Sequence, residues 1–384
     1  MNSEETPLDI PQKQPGEEKQ AEVSIAQIPP LKRRKPTWRR WLRFLGIVLL
    51  FVILFRWLGV EAYSIPTDSM ASTLGRGDFI LVSKVHYGAR TPNTWLHLPL
   101  TFRKIWFTDW NSYWDLPDLR LPIGRLWGFS AVNRGDLVVF NFPKESNYPI
   151  ELRTPYIKRC VAVAGDTLSI KQLNIIINST HEPTPLGRQY QYFVSTTSEI
   201  NPNFWIKYQI SEYQRVNVDS GVAYSVHTTP AKMQIFKELA FVKGIIRQQK
   251  PIENRNPEVF PQHNEFAWNE DNLGALVIPA KGMSMPMTTQ NVILYAHLIR
   301  QYEIYEGRRK VEIQANRLYI NGKEIKKYTF QQDYYFMIGD NFHNSMDSRY
   351  WGFVPQDHII GKAVFIWLSL GDSGIRWNRL GTIR

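Results

Sequence analysis

The chain has 384 residues, 43% of them hydrophobic and 21% charged, with a formal net charge of +11. This supports one large or two ordinary packed domains and excludes global disorder. The single cysteine, Cys160, excludes an internal disulfide framework and a Cys-rich zinc site.

Residues 1–30 are polar, mixed in charge and broken by Pro7, Pro11, Pro15, Pro29 and Pro30, the composition of a disordered tail. Seven basic residues and no acidic ones follow between positions 31 and 43: Lys32, Arg33, Arg34, Lys35, Arg39, Arg40 and Arg43. Such a cluster suits nucleic acid or an anionic membrane. The next residues choose the membrane, because FLGIVLLFVILF (44–55) is an unbroken apolar run. From 42 to 60 the chain would span about 28 Å as a helix, near the roughly 30 Å hydrocarbon thickness. Trp38, Trp41 and Trp57 flank the run as interfacial tryptophans do, and Arg43 and Arg56 would snorkel to the two interfaces. The positive-inside rule then puts the N-terminus in the cytoplasm and everything after residue 61 outside. A cleavable signal peptide and a buried core helix are competing readings. The long polar tail ahead of the run favours a retained anchor.

Short strands separated by turn signals dominate the next part. GDFILVSKV (77–85) and RGDLVVFNFP (134–143) share a Gly-Asp turn followed by an apolar β-prone run, and YIKRCVAVAGDTLSI (156–170) reads as strand, turn and strand. Between them, Trp95, Phe102, Trp106, Phe107, Trp110, Trp114, Trp127 and Phe129 crowd a loop-like segment with Arg103, Lys104, Arg120 and Arg125. The segment reads either as core aromatics of a loop or as a surface dipping into the headgroup zone. From 178 to about 310 the composition changes to polar aromatic stretches, read as an inserted second domain. Within it, Pro279 and residues 283–287 mark loops. Val292, Tyr295, Ala296 and Ile299 have helical spacing with Asn291 or Thr289 as cap. Asn321-Gly322 in LYINGKEI predicts a hairpin.

The chemistry centres on Ser69 in YSIPTDSM, which has no G-x-S-x-G elbow around it. A serine hydroxyl needs a partner that removes its proton. His343 is near Ser345 and Asp347 in sequence, but a triad is assembled by the fold, so this adjacency is weak. A lysine serves instead if it is kept neutral, which requires burial in apolar surroundings. Lys171, Lys326 and Lys327 lie among polar residues. Lys84, Lys158 and Lys243 have apolar neighbours and stay open as candidates, Lys158 the best placed. In a strand it shares a face with Tyr156 and Cys160, while Arg159 points the other way. All three could equally be edge or surface charges.

Five stretches in order, SIPTDSMASTL, GDFILVSK, RGDLVVF, YIKRCVAVAGD and GDNFHNSMDSRYWGFVP, spread from Ser64 to Pro355 behind the apolar run, resemble type I signal peptidase. That family is membrane-anchored and uses a Ser/Lys pair to remove signal peptides. The resemblance implies a mainly β fold: a signal-peptidase-like β catalytic core with an inserted second domain and one N-terminal transmembrane helix. The expected division is a tail at 1–40, an anchor at 41–60, core at 61–177 and 328–384, and an insertion at 178–327. The resemblance implies Ser69 as nucleophile, Lys158 as general base, and Thr67 with the Ser69 N–H as oxyanion hole. Ser345 would orient the amine, and Asp347 and Arg349 would brace the wall. Ile65, Pro66, Ile80, Val139, Tyr156 and Ile157 would line shallow substrate pockets. No metal or cofactor and no nucleic acid are expected. The expected partners are signal-peptide-bearing preproteins and the lipid bilayer, at the bacterial cytoplasmic membrane with the catalytic domain on the periplasmic side. Phe342-His343 stands where the family often has Arg-Asp, and Ser72 where proline is common. A non-catalytic anchored binding module that keeps the fold, and a self-cleaving Ser/Lys peptidase of the repressor type, are the alternatives.

Overall fold

A run of apolar residues without proline carries helix α1, Trp38–Leu58. Its window Arg40–Leu58 is long and apolar enough to cross a membrane, and none of it is buried within the protein, which removes the core-helix reading. The helix starts before and stops short of the expected 41–60, because Val60 already pairs with Ser83 as a strand. The computed structural model describes residues 38–91, 94, 96–98, 101–114, 124–218, 221–304, 310–371 and 374–383. Residues 1–37 of the expected tail at 1–40, with basic residues 32–35, lie outside the described residues, as do Trp95 and Arg120. Met1–Val48 is one unit, of which the first half of α1 is described, and Leu49–Arg384 is the other.

The strands that position the site come from the turn-and-run stretches. β1 (Val60–Ser64) pairs antiparallel with β2 (Asp78–Ser83). The turn entering β2 needs Gly77: its φ is +83°, and a Cβ there would collide with the Leu370 carbonyl. β3 (Leu137–Asn141) and β4 (Pro155–Ala162) pair with Val138 opposite Lys158. β5 (Thr167–Lys171) and β6 (Asn174–Ile177) form the next hairpin. β7 (Tyr190–Thr196), β8 (Tyr213–Val218), β9 (Gly221–Thr228) and β10 (Val242–Arg247) form an antiparallel sheet in the order β8-β9-β7-β10. β11 (Leu273–Val277) adds to β5. β12 (Tyr334–Ile338) and β13 (Ile359–Gly371) complete the main sheet, whose order is β1-β2-β13-β3-β4-β12 with Val354–Pro355 beyond β12. Register shifts where β13 meets β2 and β3 bend this long strand.

Alternation along β3 fills both faces of the main sheet. Leu137 and Val139 pack with Ile65, Met70, Leu74, Ile80 and Val82. Val138 and Phe140 pack with Tyr87, Cys160, Met337 and Trp351. A further cluster runs from Val161 to Phe353 and includes Trp205, Phe236 and Tyr295.

Several local expectations change. Gly244 does not stop a strand at Lys243, because β10 is an edge strand with an irregularity beside that glycine. The expected loop at 283–287 holds a short strand, Ser284–Pro286, paired with Lys327–Thr329, and buries Met285. The helix Thr289–Leu298 is capped by Thr288, whose side chain accepts from Asn291 N, so neither Thr289 nor Asn291 is the cap. Asn321-Gly322 makes the expected hairpin, with φ of 51° and 76°. Trp106, Phe107, Trp110, Trp114, Trp127 and Phe129 are exposed, so the core-aromatic reading of that segment fails for these residues.

Candidate active site

The loop after β1 carries Ser69. Ile65 N donates to Asp78 O and Gly77 N to Ile65 O, closing the loop base onto β2. Within it, Ala71 N donates to Asp68 O and Leu74 N to Met70 O, a single helical turn whose Met70 and Leu74 are buried. These two apolar anchors leave Ser69 half-buried at the edge of a cavity.

Lys158 comes from the middle of β4, and its Nζ lies 2.5 Å from Ser69 Oγ. The side chain is 4% exposed. Burial lowers its pKa from an ordinary 10.5 to about 8, outweighing the upward pull of Asp347. The ring of Tyr156 sits 5.9 Å from Nζ, on the face that strand alternation assigns. The two competing lysines are elsewhere. Lys84 Nζ bonds Arg56 O at 2.9 Å and Glu61 at 2.8 Å, and Lys243 is exposed on β10. The His343 side chain is buried but turned to other partners: its Nδ1 accepts from Gln191 N, and its Nε2 is 3.3 Å from Asp271.

The other expected residues gather around this pair. Thr67 Oγ1 is 3.4 Å from Ser69 Oγ. Asp347 and Arg349, both fully buried, form an ion pair at 2.8 Å. Burial pushes the Asp347 carboxyl up, but the Arg349 guanidinium and the Gly339 N–H overcome this and hold it below the usual carboxylate range. Ser345 is buried on the same wall. Its Oγ has no partner of ordinary hydrogen-bond geometry, yet it is near enough to Asp347 to help hold that carboxyl down. The expected contact from Ser345 to the Lys158 amine is not made among the described residues. The six expected lining residues, Ile65, Pro66, Ile80, Val139, Tyr156 and Ile157, all line one cavity of about 770 Å³ together with Ser69, Lys158, Asn344 and Met346.

Sequence reasoning passed over Asp340 and Asn341. Asp340 is fully buried and takes a two-pronged bond from Arg159, the neighbour of Lys158, and a third from Thr73 Oγ1 at 2.6 Å. It therefore ties β4 to the Ser69 turn. Asn341 N donates to Ser69 O at 3.1 Å, and its side-chain amide donates to Asp68 O at 3.1 Å. The signal was available, since Arg159 and the Asp-Asn pair sit in two of the quoted stretches, but which partners they meet was not. Gly339 is required by close approach: a Cβ there would strike Ser345 Oγ and the Ser69 carbonyl oxygen.

Both departures from the family pattern have local physical readings. Phe342 is buried and stacks under Arg349, whose guanidinium carbon is 3.9 Å from the ring centre. Ser72 has a φ of 74°, which a proline ring cannot adopt. Among the described residues no group of three or more His, Cys, Asp or Glu is placed to hold a metal ion.

A half-wrapped antiparallel sheet with a serine and a buried lysine in contact defines a serine hydrolase site. The chain matches the family "Signal peptidase, peptidase S26" over residues 38–224 and 326–368. It is 26% identical over 347 residues to signal peptidase I of Buchnera aphidicola subsp. Acyrthosiphon pisum, covering 88% of this chain and 79% of that protein. It is 24% identical over 331 residues to signal peptidase I of Helicobacter pylori strain 26695, covering 86% and 81%. With signal peptidase I of Pseudomonas aeruginosa PAO1 the identity is 25% over 352 residues, covering 88% and 76%. The chain belongs to the S26 signal peptidase family and is a serine endopeptidase.

Proposed function

We propose that the chain removes signal peptides from exported preproteins with Ser69 as nucleophile and Lys158 as general base. The observation that carries this is the 2.5 Å contact between Ser69 Oγ and an amine whose burial lowers its pKa to about 8. With the amine neutral, the Ser69 O–H donates to Nζ and the oxygen attacks the scissile carbonyl carbon. The developing oxyanion is met by the Thr67 hydroxyl and by the Ser69 N–H, which has no other partner among the described residues. Such donors commonly contribute about 10²–10³ in rate. The C–N bond then breaks, and the proton held by Lys158 passes to the leaving amine. Water, deprotonated by the same amine, hydrolyses the ester. Asp340, Asn341 and the Asp347–Arg349 pair hold the reacting residues in place, and Ser345 belongs to the same wall.

The cavity lined by Ile65, Pro66, Ile80, Val139, Tyr156 and Ile157 accepts small side chains on the acyl side of the cut, the pattern with which signal peptides end. The substrate lies extended along neighbouring strands by β-augmentation. α1 anchors the enzyme in the cytoplasmic membrane with residues after 61 on the outer face, so enzyme and substrate meet at high effective concentration. The exposed aromatics between 102 and 129 enter the headgroup zone. Residues 178–327 serve as the inserted domain, in keeping with the break in the family match between 225 and 325.

A preprotein-processing assay tests this. Wild-type protein cleaves, and both Ser69→Ala and Lys158→Ala are inactive. Normal cleavage by both variants refutes the pair; no cleavage by the wild type leaves a non-catalytic binding module.

A further inference from the structure

The geometry points to Glu212, just ahead of β8 and within the expected insertion, as a positioning residue for the Ser69 loop and for the wall of the substrate cavity. The inference rests on the Ser/Lys reading above. Glu212 places one carboxylate oxygen on each of two asparagines: Oε1 accepts from Asn341 Nδ2 at 2.8 Å, and Oε2 accepts from Asn344 Nδ2 at 2.8 Å. Asn341 is fully buried, and it is the residue that fastens the carbonyls of Asp68 and Ser69. Asn344 lines the cavity beside Ser69. One carboxylate therefore sets the orientation of an amide behind the nucleophile and of an amide facing the substrate.

The far side of Asn341 is held from the same insertion. His227 Nδ1 meets Asn341 Oδ1 at 3.1 Å, and its backbone N–H donates to Glu212 O at 3.0 Å, locking β9 to the Glu212 segment. With its amide oxygen on His227 and its amide nitrogen on Glu212 and Asp68, Asn341 has one satisfied orientation. A glutamate is suited to this because an ionised carboxylate only accepts, and both asparagine groups that face it are donors. Removing it takes away one of the bonds that fix the Asn341 amide, and so loosens its hold on the Asp68 carbonyl, next in the chain to Ser69. Displacements of the order of 1 Å far from the chemistry can lower rates by about a hundredfold.

The test is steady-state kinetics of the full-length chain on a signal-peptide-bearing substrate. Glu212→Ala should lower kcat about ten- to a hundredfold with KM within about twofold, and with a thermal midpoint within about 2 °C of wild type. Glu212→Gln keeps the shape but turns an NH2 toward one of the two asparagines, so it should recover part of the loss. It also carries the test if the alanine variant fails to fold. Glu212→Ala combined with Asn341→Ala should lose less than the product of the two single losses, because both act through the Asn341 amide. Arg215→Gln on β8, which breaks the exposed pair with Glu199, should leave kcat unchanged. The inference is overturned if kcat is unchanged in both Glu212 variants, if Arg215→Gln loses as much, or if the fall in thermal midpoint accounts for the loss. If the wild type cleaves and Ser69→Ala does not, such a result sinks this role alone; a wild type that never cleaves overturns both readings.

Discussion

Replacing Lys158 with methionine should inactivate the enzyme and stabilise it, and the stabilisation should depend on pH in a defined way. The side chain is 4% exposed, and burial lowers its pKa from 10.5 to about 8. Below about pH 8 the amine is protonated in both folded and unfolded chains, so the folded state bears the full penalty. A difference of about 2.5 pKa units at about 1.4 kcal/mol each makes this about 3 kcal/mol. Between about 8 and 10.5 the folded chain has lost its proton while the unfolded chain retains it, and the penalty fades as pH rises. Methionine has similar length and no charge to bury. Lys158→Met should therefore exceed wild type by about 2–3 kcal/mol at about pH 6.5, the lost contact with Ser69 taking back about 1 kcal/mol. That advantage should shrink by about 2 kcal/mol by about pH 9.5. Urea unfolding of detergent-solubilised full-length protein across this range measures it. The kcat/KM of the wild type should rise with pH through the same region near 8, since the proposed general base acts as the neutral amine. A stability gap that does not change with pH, or a wild type more stable than the variant at about pH 6.5, would refute the reasoning.

Gly339→Ala puts a methyl group against Ser345 Oγ and the Ser69 carbonyl and should lower kcat about a hundredfold; full activity would show that the close approach is not needed. Arg349→Ala leaves the Asp347 carboxylate buried and unpaired, so denaturant titration should find a loss of about 3–5 kcal/mol. Ile157→Ala enlarges the cavity beside Lys158. Competition between substrates differing by one methylene next to the cut should show discrimination relaxed by about 1–3 kcal/mol, and unaltered selectivity would remove Ile157 from the pocket.

The residues proposed to react were legible in the chain because their requirements are local. Apolar runs after Gly-Asp turns specify β2, β3 and β5, and the alternation in YIKRCVA puts Lys158 on the Tyr156 face of its strand. The 44–55 run specifies a long helix without reference to anything else. Order along the chain, from Ser64 to Pro355, then sufficed to recognise the family. Other features depended on side chains far apart in sequence. Lys84 and Lys158 both have apolar neighbours, Lys158 the better placed; only packing gives the first to Glu61 and the second to Ser69. Asp340 meets Arg159 across 181 residues, and Glu212 meets Asn341 across 129. The strand at Ser284–Pro286 exists because Lys327–Thr329 is there to pair with it. The sequence by itself determined which groups could react and which segments would be strands. Tertiary structure alone decided which lysine is kept dry and which distant amides hold the serine, because desolvation and hydrogen-bond satisfaction are properties of the assembled neighbourhood.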